Sequence, residues 1–158
     1  MVQTRPVDII AKGGDFSVVL DDQGDVNLQT GNGMVELVNN KEELLLIQDH
    51  KCKILSDGNI GIPYHVNANP ALVELVLQAS FSGEQTIDLG QLLTLSTPLD
   101  GLTLLYLIKE TKKPSERLPL FLQLNEFYPV PQGVTQEGIL NMDAGMFETW
   151  REDIEWQI

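Results

Sequence analysis

Between Phe16 and Val38 the apolar positions come in short runs, FSVVL, VNLQT and MVELV, separated by Gln23–Gly24 and Gly31-Asn32-Gly33. β-Branched runs punctuated by glycine-containing turns predict a β-meander of short strands. Alternation is clearest in the second and third runs. Val26 and Leu28 share one face, and Met34, Glu36 and Val38 oppose Val35 and Leu37. Ahead of them, residues 1–14 hold Arg5–Pro6, Val7, Ile9 and Ile10, which predict an N-terminal arm ending in a short strand before Gly13–Gly14.

From Asn40 the spacing turns helical. Leu44, Ile47, Lys51 and Leu55 fall near one face of a helix over residues 41–55, with Leu45 and Cys52 beside it, and Asn40 with Glu43 has the form of a capping box. A second helix is expected over Pro70 to Ser80, with Asn69 as N-cap and Pro70 at the first helical position. Leu72, Val73, Val76 and Leu77 would share its buried face, and Gly83 suits its end. The intervening SDGNIGIPYHVNAN, residues 56–69, is longer than the roughly 2–8 residues that usually join two helices. Ile60, Ile62, Tyr64 and Val66 alternate along it, so it is expected to be an ordered, extended binding element. Pro63 restricts Ile62 to extended geometry and would hold Tyr64 in a fixed place.

Beyond Gly83, TIDLGQLLTLSTP and DGLTLLYLIKET predict two strands joined by a turn at Pro98-Leu99-Asp100-Gly101. Leu102, Leu104, Tyr106 and Ile108 would take one face, and Thr103, Leu105 and Leu107 the other, as in a strand buried on both sides or covered by a partner. Leu89 to Leu95 is leucine-rich enough to leave a helix open there. LPLFLQL predicts a third strand. EFYPVPQGVTQEG should be an extended connector, and the final stretch one short helix with Phe147, Trp150 and Ile154 on a common face. That helix either docks on its own domain or forms an arm reaching another subunit, with Trp150 and Trp156 as aromatic anchors. The expected fold is α+β: a short β-meander, two amphipathic helices joined by a long ordered loop, then antiparallel strands and an extended C-terminal arm. The boundaries are an arm at 1–14, a core at 15–125 and the C-terminal arm at 126–158.

Composition narrows the chemistry. A chain of 158 residues fits one domain. No window approaches the ~18 apolar residues of a membrane span, and the N-terminus lacks a signal-peptide core, so no membrane partner is expected. Cys52 is the single cysteine, which excludes an intrachain disulfide and points to maturation in a reducing cytoplasm. A net charge of −13 is poorly suited to binding nucleic acid and would steer the chain toward basic surfaces. Lys109, Lys112, Lys113 and Arg117 cluster against that trend, either as a solvated hairpin tip or as a contact for an acidic neighbouring subunit.

No catalytic pattern stands out. His50 and Cys52, two apart on the expected helix, would point in different directions, and Cys52 suits a small core position. His65 stands alone in the loop. Two histidines and one cysteine make no zinc-type spacing. Asp21-Asp22-Gln23-Gly24-Asp25 superficially resembles a calcium loop, but no glutamate closes it at the required distance, so a turn is expected. The glycine pairs lack the lysine of a phosphate-binding loop. The expectation is therefore no cofactor, no metal, no small-molecule substrate and no enzymatic activity.

The order of the motifs carries a resemblance. The turn Asp22-Gln23-Gly24-Asp25 with the following VNLQT, then Gly61-Ile62-Pro63-Tyr64, then Asn69-Pro70-Ala71-Leu72, is similar to the small baseplate wedge subunits of contractile-tailed phages, notably the Mu-like branch. The similarity covers about residues 15–110. The Glu-Pro-Arg element of some wedge subunits is absent, so no residue is carried over from it. The resemblance implies a structural virion protein of the tail baseplate, assembled in the host cytoplasm, in the inner wedge ring around the tube. Its partners would be other baseplate wedge and hub subunits and the tail sheath. The residues expected to meet them are Ile62, Pro63, Tyr64, Phe147, Trp150, Ile154 and Trp156. The alternative is an acidic soluble protein-binding or adaptor domain unrelated to phage tails.

Overall fold

Three extended arms of chain, each broken in the middle, build the first of two units. The computed structural model describes residues 7–81, 87–111 and 113–158, and the chain divides into Met1–Val66 and Asn67–Ile158. Arg5, Pro6, Gly83 and Lys112, each given a role above, lie outside the described residues.

The first arm is β1 (Asp8–Ala11) and β2 (Phe16–Leu20), the second β3 (Val26–Thr30) and β4 (Val35–Val38), and the third β5 (Glu43–Leu46) and β6 (His50–Ile54). A short β7 (Tyr64–His65) follows. The strands form two antiparallel sheets, ordered β1-β4-β5 and β2-β3-β6-β7. Every arm thus crosses from one sheet to the other, and the three crossings are tied together. Gly13 O accepts the Met34 N–H at 3.1 Å, Asp15 O accepts Gly31 N–H at 3.0 Å, and Gly31 O accepts Asp49 N–H at 3.1 Å. The Thr30 hydroxyl donates to Ile47 O and accepts from His50 N–H. Glycine is required where the backbones touch, because a Cβ on Gly33 would lie 2.3 Å from Gly13 O.

The expected meander is present, with the second arm in the centre. The expected helix over 41–55 is not. Its residues are β5 and β6, and the reason lies in their burial: Leu44 and Leu46 are buried on β5, and His50, Cys52 and Ile54 on β6, with Lys51 and Lys53 less so. That is a period of two, and pairing with β4 and β3 supplies the partner a local pattern cannot reveal. Asn39, not Asn40, supplies the side-chain cap, and it closes a turn instead of starting a helix. Asn39 Oδ1 accepts the N–H groups of both Lys41 and Glu42 at 2.8 Å, and so closes the β4–β5 turn. With Leu28, Val35 and Leu37, the inward residues of β5 and β6 make the core of this unit.

The second unit is helical among its described residues: α1 (Pro70–Phe81), α2 (Leu89–Leu95), a 3-10 turn (Pro98–Asp100), α3 (Gly101–Glu110), α4 (Pro114–Phe127), α5 (Gln136–Leu140) and α6 (Ala144–Gln157). The α+β class holds, but the strands expected after Gly83 are helices. Leu102, Leu104, Leu105, Leu107 and Ile108 are all buried because α3 packs against α1, α4 and α6. Apolar residues on both faces of a strand and apolar residues all round a buried helix give the same string of letters. The turn at Pro98–Gly101 is instead a helix start. Thr97 and Asp100 cap it reciprocally, with Asp100 Oδ2 accepting Thr97 N–H at 2.7 Å. Asn69 caps α1 as expected, its Oδ1 accepting Ala71 N–H at 2.9 Å.

The C-terminal segment belongs to this helical unit and is not an extended arm. Asp143 caps α6, and Phe147, Trp150 and Ile154 are buried along one face. The Trp150 ring meets Phe121 of α4 at 5.3 Å, and its Nε1–H donates to Tyr128 O at 3.2 Å. The boundary between units, at 66/67, falls inside the expected 15–125 core. The basic run is not a hairpin tip either, since it joins α3 to α4. Arg117 donates to Thr111 O and Leu140 O, whereas Lys109 and Lys113 are exposed.

Candidate protein-interaction surfaces

The Gly61-Ile62-Pro63-Tyr64 segment is ordered, and its attachments explain why. Asp25, buried at the end of the Asp21–Asp25 turn, accepts Ser56 N–H at 3.0 Å, and Asn39 Nδ2 donates to Gly58 O at 3.0 Å. Gly61 N–H donates to Lys53 O at 2.8 Å, and Tyr64 and His65 pair with Lys51 and His50. The segment therefore leads from β6 into β7, and it does not connect two helices. It also faces inward. Ile62 and Pro63 are buried and Tyr64 is half-buried, so these three are not displayed as a contact surface.

The buried side chains around this segment are inert in character. The Cys52 thiol donates to Gly61 O at 3.2 Å, and burial, with a smaller contribution from Glu42, pushes its pKa up to about 12. A thiol held protonated is neither a nucleophile nor a metal ligand. The His50 ring lies edge-on to His65 with centroids 5.3 Å apart. Its Nδ1 sits 2.8 Å from Gln48 O, which fixes Nδ1–H as the donor and leaves Nε2 bearing the lone pair. Burial, reinforced by the neighbouring His65, holds the His50 pKa below its usual value, although the Gln48 carbonyl and Asp49 act the other way. Among the described residues no three histidine, cysteine or carboxylate side chains group as a metal would require.

The Asp21–Asp25 segment is a turn, as expected. Asp21 Oδ1 accepts the N–H groups of Gln23 and Asp25 at 2.9 and 3.0 Å, and Gly24 takes a φ of +82°. The Asp21 carboxylate is thereby used within the turn, while that of Asp25 reaches Ser56 N–H and Lys53 Nζ outside it. Of the aromatic anchors expected on α6, Phe147 and Trp150 are core residues with Ile154, while Trp156 is 87% exposed.

The surface that sequence reasoning missed is β2. All five of its residues are exposed, although Phe16, Val18, Val19 and Leu20 are apolar. Val18 pairs with Leu28 and so points to the same face of the sheet, yet Leu28 is 1% exposed and Val18 47%. Phe16 and Leu20 on that face are 38% and 68% exposed. The core side of the sheet therefore continues beyond its cover. β2 also stands at the end of its sheet, with β3 on one side and no strand on the other among the described residues. The signal in the sequence was FSVVL itself, an apolar run without the lysine or proline that usually blunts an edge strand.

Among the described residues no helix is long and apolar enough to cross a membrane. The chain matches no protein-family model, no curated protein and no solved structure.

Proposed function

We propose that the chain is a non-enzymatic structural subunit of a contractile phage tail baseplate, placed in the inner wedge ring around the tube. There it links hub and outer wedge subunits and offers a docking surface to the sheath. One observation carries this reading: two of the three motifs that resemble the wedge family come together in the strand unit. The Asp22–Asp25 turn and the loop leading to Gly61-Ile62-Pro63-Tyr64 meet through the Asp25 carboxylate and Ser56 N–H. Residues 31 positions apart in sequence thus meet within one unit, as a shared structural element would require. Mass spectrometry of purified tail particles tests it. The protein is expected among the baseplate components, and its deletion should leave particles without an assembled baseplate. Intact tails lacking the protein would defeat the proposal.

The exposed apolar β2 also supports a second reading, an acidic adaptor domain that binds protein partners outside any tail. Flanking genes for sheath, tube and spike proteins would favour the tail; metabolic neighbours would favour the adaptor.

A further inference from the structure

The free edge of β2 has a defined polarity. Asp15 O and Asp21 N–H both bond toward β3, to Gly31 and Asp25. Main-chain groups alternate sides along a strand, so Ser17 and Val19 also face β3, and Phe16, Val18 and Leu20 direct their N–H and C=O groups to the open edge. The side chains of those same residues are the ones left uncovered on the core side of the sheet. An incoming strand would satisfy the edge and shield this face together. The strand has no bulge in its pairing with β3 and no lysine or proline to discourage an added neighbour.

Charge decides which neighbour. No lysine or arginine occurs from residue 13 to residue 40, whereas Asp15 stands at one end of β2 and Asp21 and Asp22 at the other. A second copy pairing antiparallel about Val18 would set Phe16 against Leu20 and Asp15 against Asp21 at both ends. A parallel copy would bring each aspartate beside its own equivalent. Like charges facing each other across a pair of strands are destabilising. We propose that β2 receives, as an added strand, an extended segment of another protein that alternates apolar with polar residues and carries lysine or arginine at both ends. Main-chain hydrogen bonds would hold it, Phe16, Val18 and Leu20 would set its register, and the flanking aspartates would select its charge. This holds with or without a role in a tail, because it rests on the edge geometry and charge alone.

The probe is a synthetic peptide of alternating valine and threonine with lysines at both ends, titrated into the full chain. Amide exchange by NMR should show new protection at Phe16, Val18 and Leu20. The lysine-flanked peptide should bind roughly tenfold more tightly than its glutamate-flanked counterpart at low salt, a gap that narrows as salt screens the pairs. Val18→Pro removes an outward N–H without touching the β3 ladder, and should abolish binding. If that variant fails to fold, Val18→Lys gives the same test by placing a charge on the edge and should also abolish binding. Absence of protection, equal affinity for the two peptides, or binding that survives in a folded Val18→Pro or Val18→Lys chain would overturn the proposal. So would protection at β2 that rises with the concentration of the chain alone, which would make a second copy the occupant.

Discussion

The strand unit and the helical unit use the same apolar vocabulary in opposite ways. In β5 and β6 buried and less buried residues alternate, so half of each strand meets the core. In α3 seven of ten residues are buried, because helices pack around it on several sides. The strand unit leaves β2 open along a whole edge. The helical unit gathers its two largest fully buried side chains, Trp150 and Phe121, into one contact. A sheet can end in an unsatisfied edge, whereas a helix satisfies its own backbone and exposes only side chains. The place to look for main-chain recognition is therefore the strand unit.

That contrast can be broken most forcefully at Trp150. Replacing it with alanine should destabilise the helical unit by about 3–5 kcal/mol, since it empties a large core site and strands the Tyr128 carbonyl. Chemical denaturation followed by amide exchange across residues 101–158 measures this. Little or no loss would mean that α6 is not core after all. Gly101→Ala comes next, at about 1–3 kcal/mol, because the new Cβ would sit 2.5 Å from the Tyr128 ring, itself buried and bonded to Pro98 O. Its readout is the same denaturation curve.

In the strand unit the sharper lever is pH. Because the His50 pKa is lowered on folding, the unfolded chain binds the proton more readily than the folded one. Stability should be fully present above the ordinary histidine pKa of ~6.5 and decline as pH falls below it toward the folded value. His50→Asn keeps a donor for Gln48 O without titrating, and should flatten the dependence. Urea midpoints from amides of residues 7–66 at about pH 7.5 and about pH 5.5 decide it. An unchanged slope in the variant would assign the effect elsewhere. The smallest expected effect is at the surface: Val18→Lys should change stability by less than about 0.5 kcal/mol, since Val18 is already half exposed. A large loss by thermal denaturation would show β2 to be core.

How much of this could be anticipated from sequence depended on where each residue's partner lay. The turns at Asp21–Asp25 and the N-cap at Asn69 were legible because their bonds are local, spanning two to four residues. β5 and β6 were not, since their identity depends on β4 and β3. Leu44, Ile47, Lys51 and Leu55 mimic a helical face by accident of a turn at Gln48–Asp49, where Asp49 adopts a φ of +60° and resets the spacing. The string GLTLLYLI offered no period at all, and only the presence of neighbouring helices resolves it. The candidate surface hid for a related reason. FSVVL was correctly expected as a strand, and its lack of lysine and proline was the one local hint, but exposure depends on what is missing beside the run, which its residues do not encode.

The way β2 is held at its two ends has a consequence for how the chain can change. Gly13–Gly14 lies against Gly33 at one end of β2, and the Asp21–Asp25 turn closes the hairpin at the other, so the register of β2 on β3 is set by its turn and not by its own side chains. A single residue added to that turn and taken up by β2 would direct the main-chain groups of Phe16, Val18 and Leu20 toward β3 and hand the open edge to their neighbours. Composition, charge and fold would be nearly unaltered. The edge would nevertheless display a different set of main-chain and side-chain groups. Length in this short connection is thus a coding variable of its own, and drift there would rewrite partner choice while leaving every apolar residue of β2 in place.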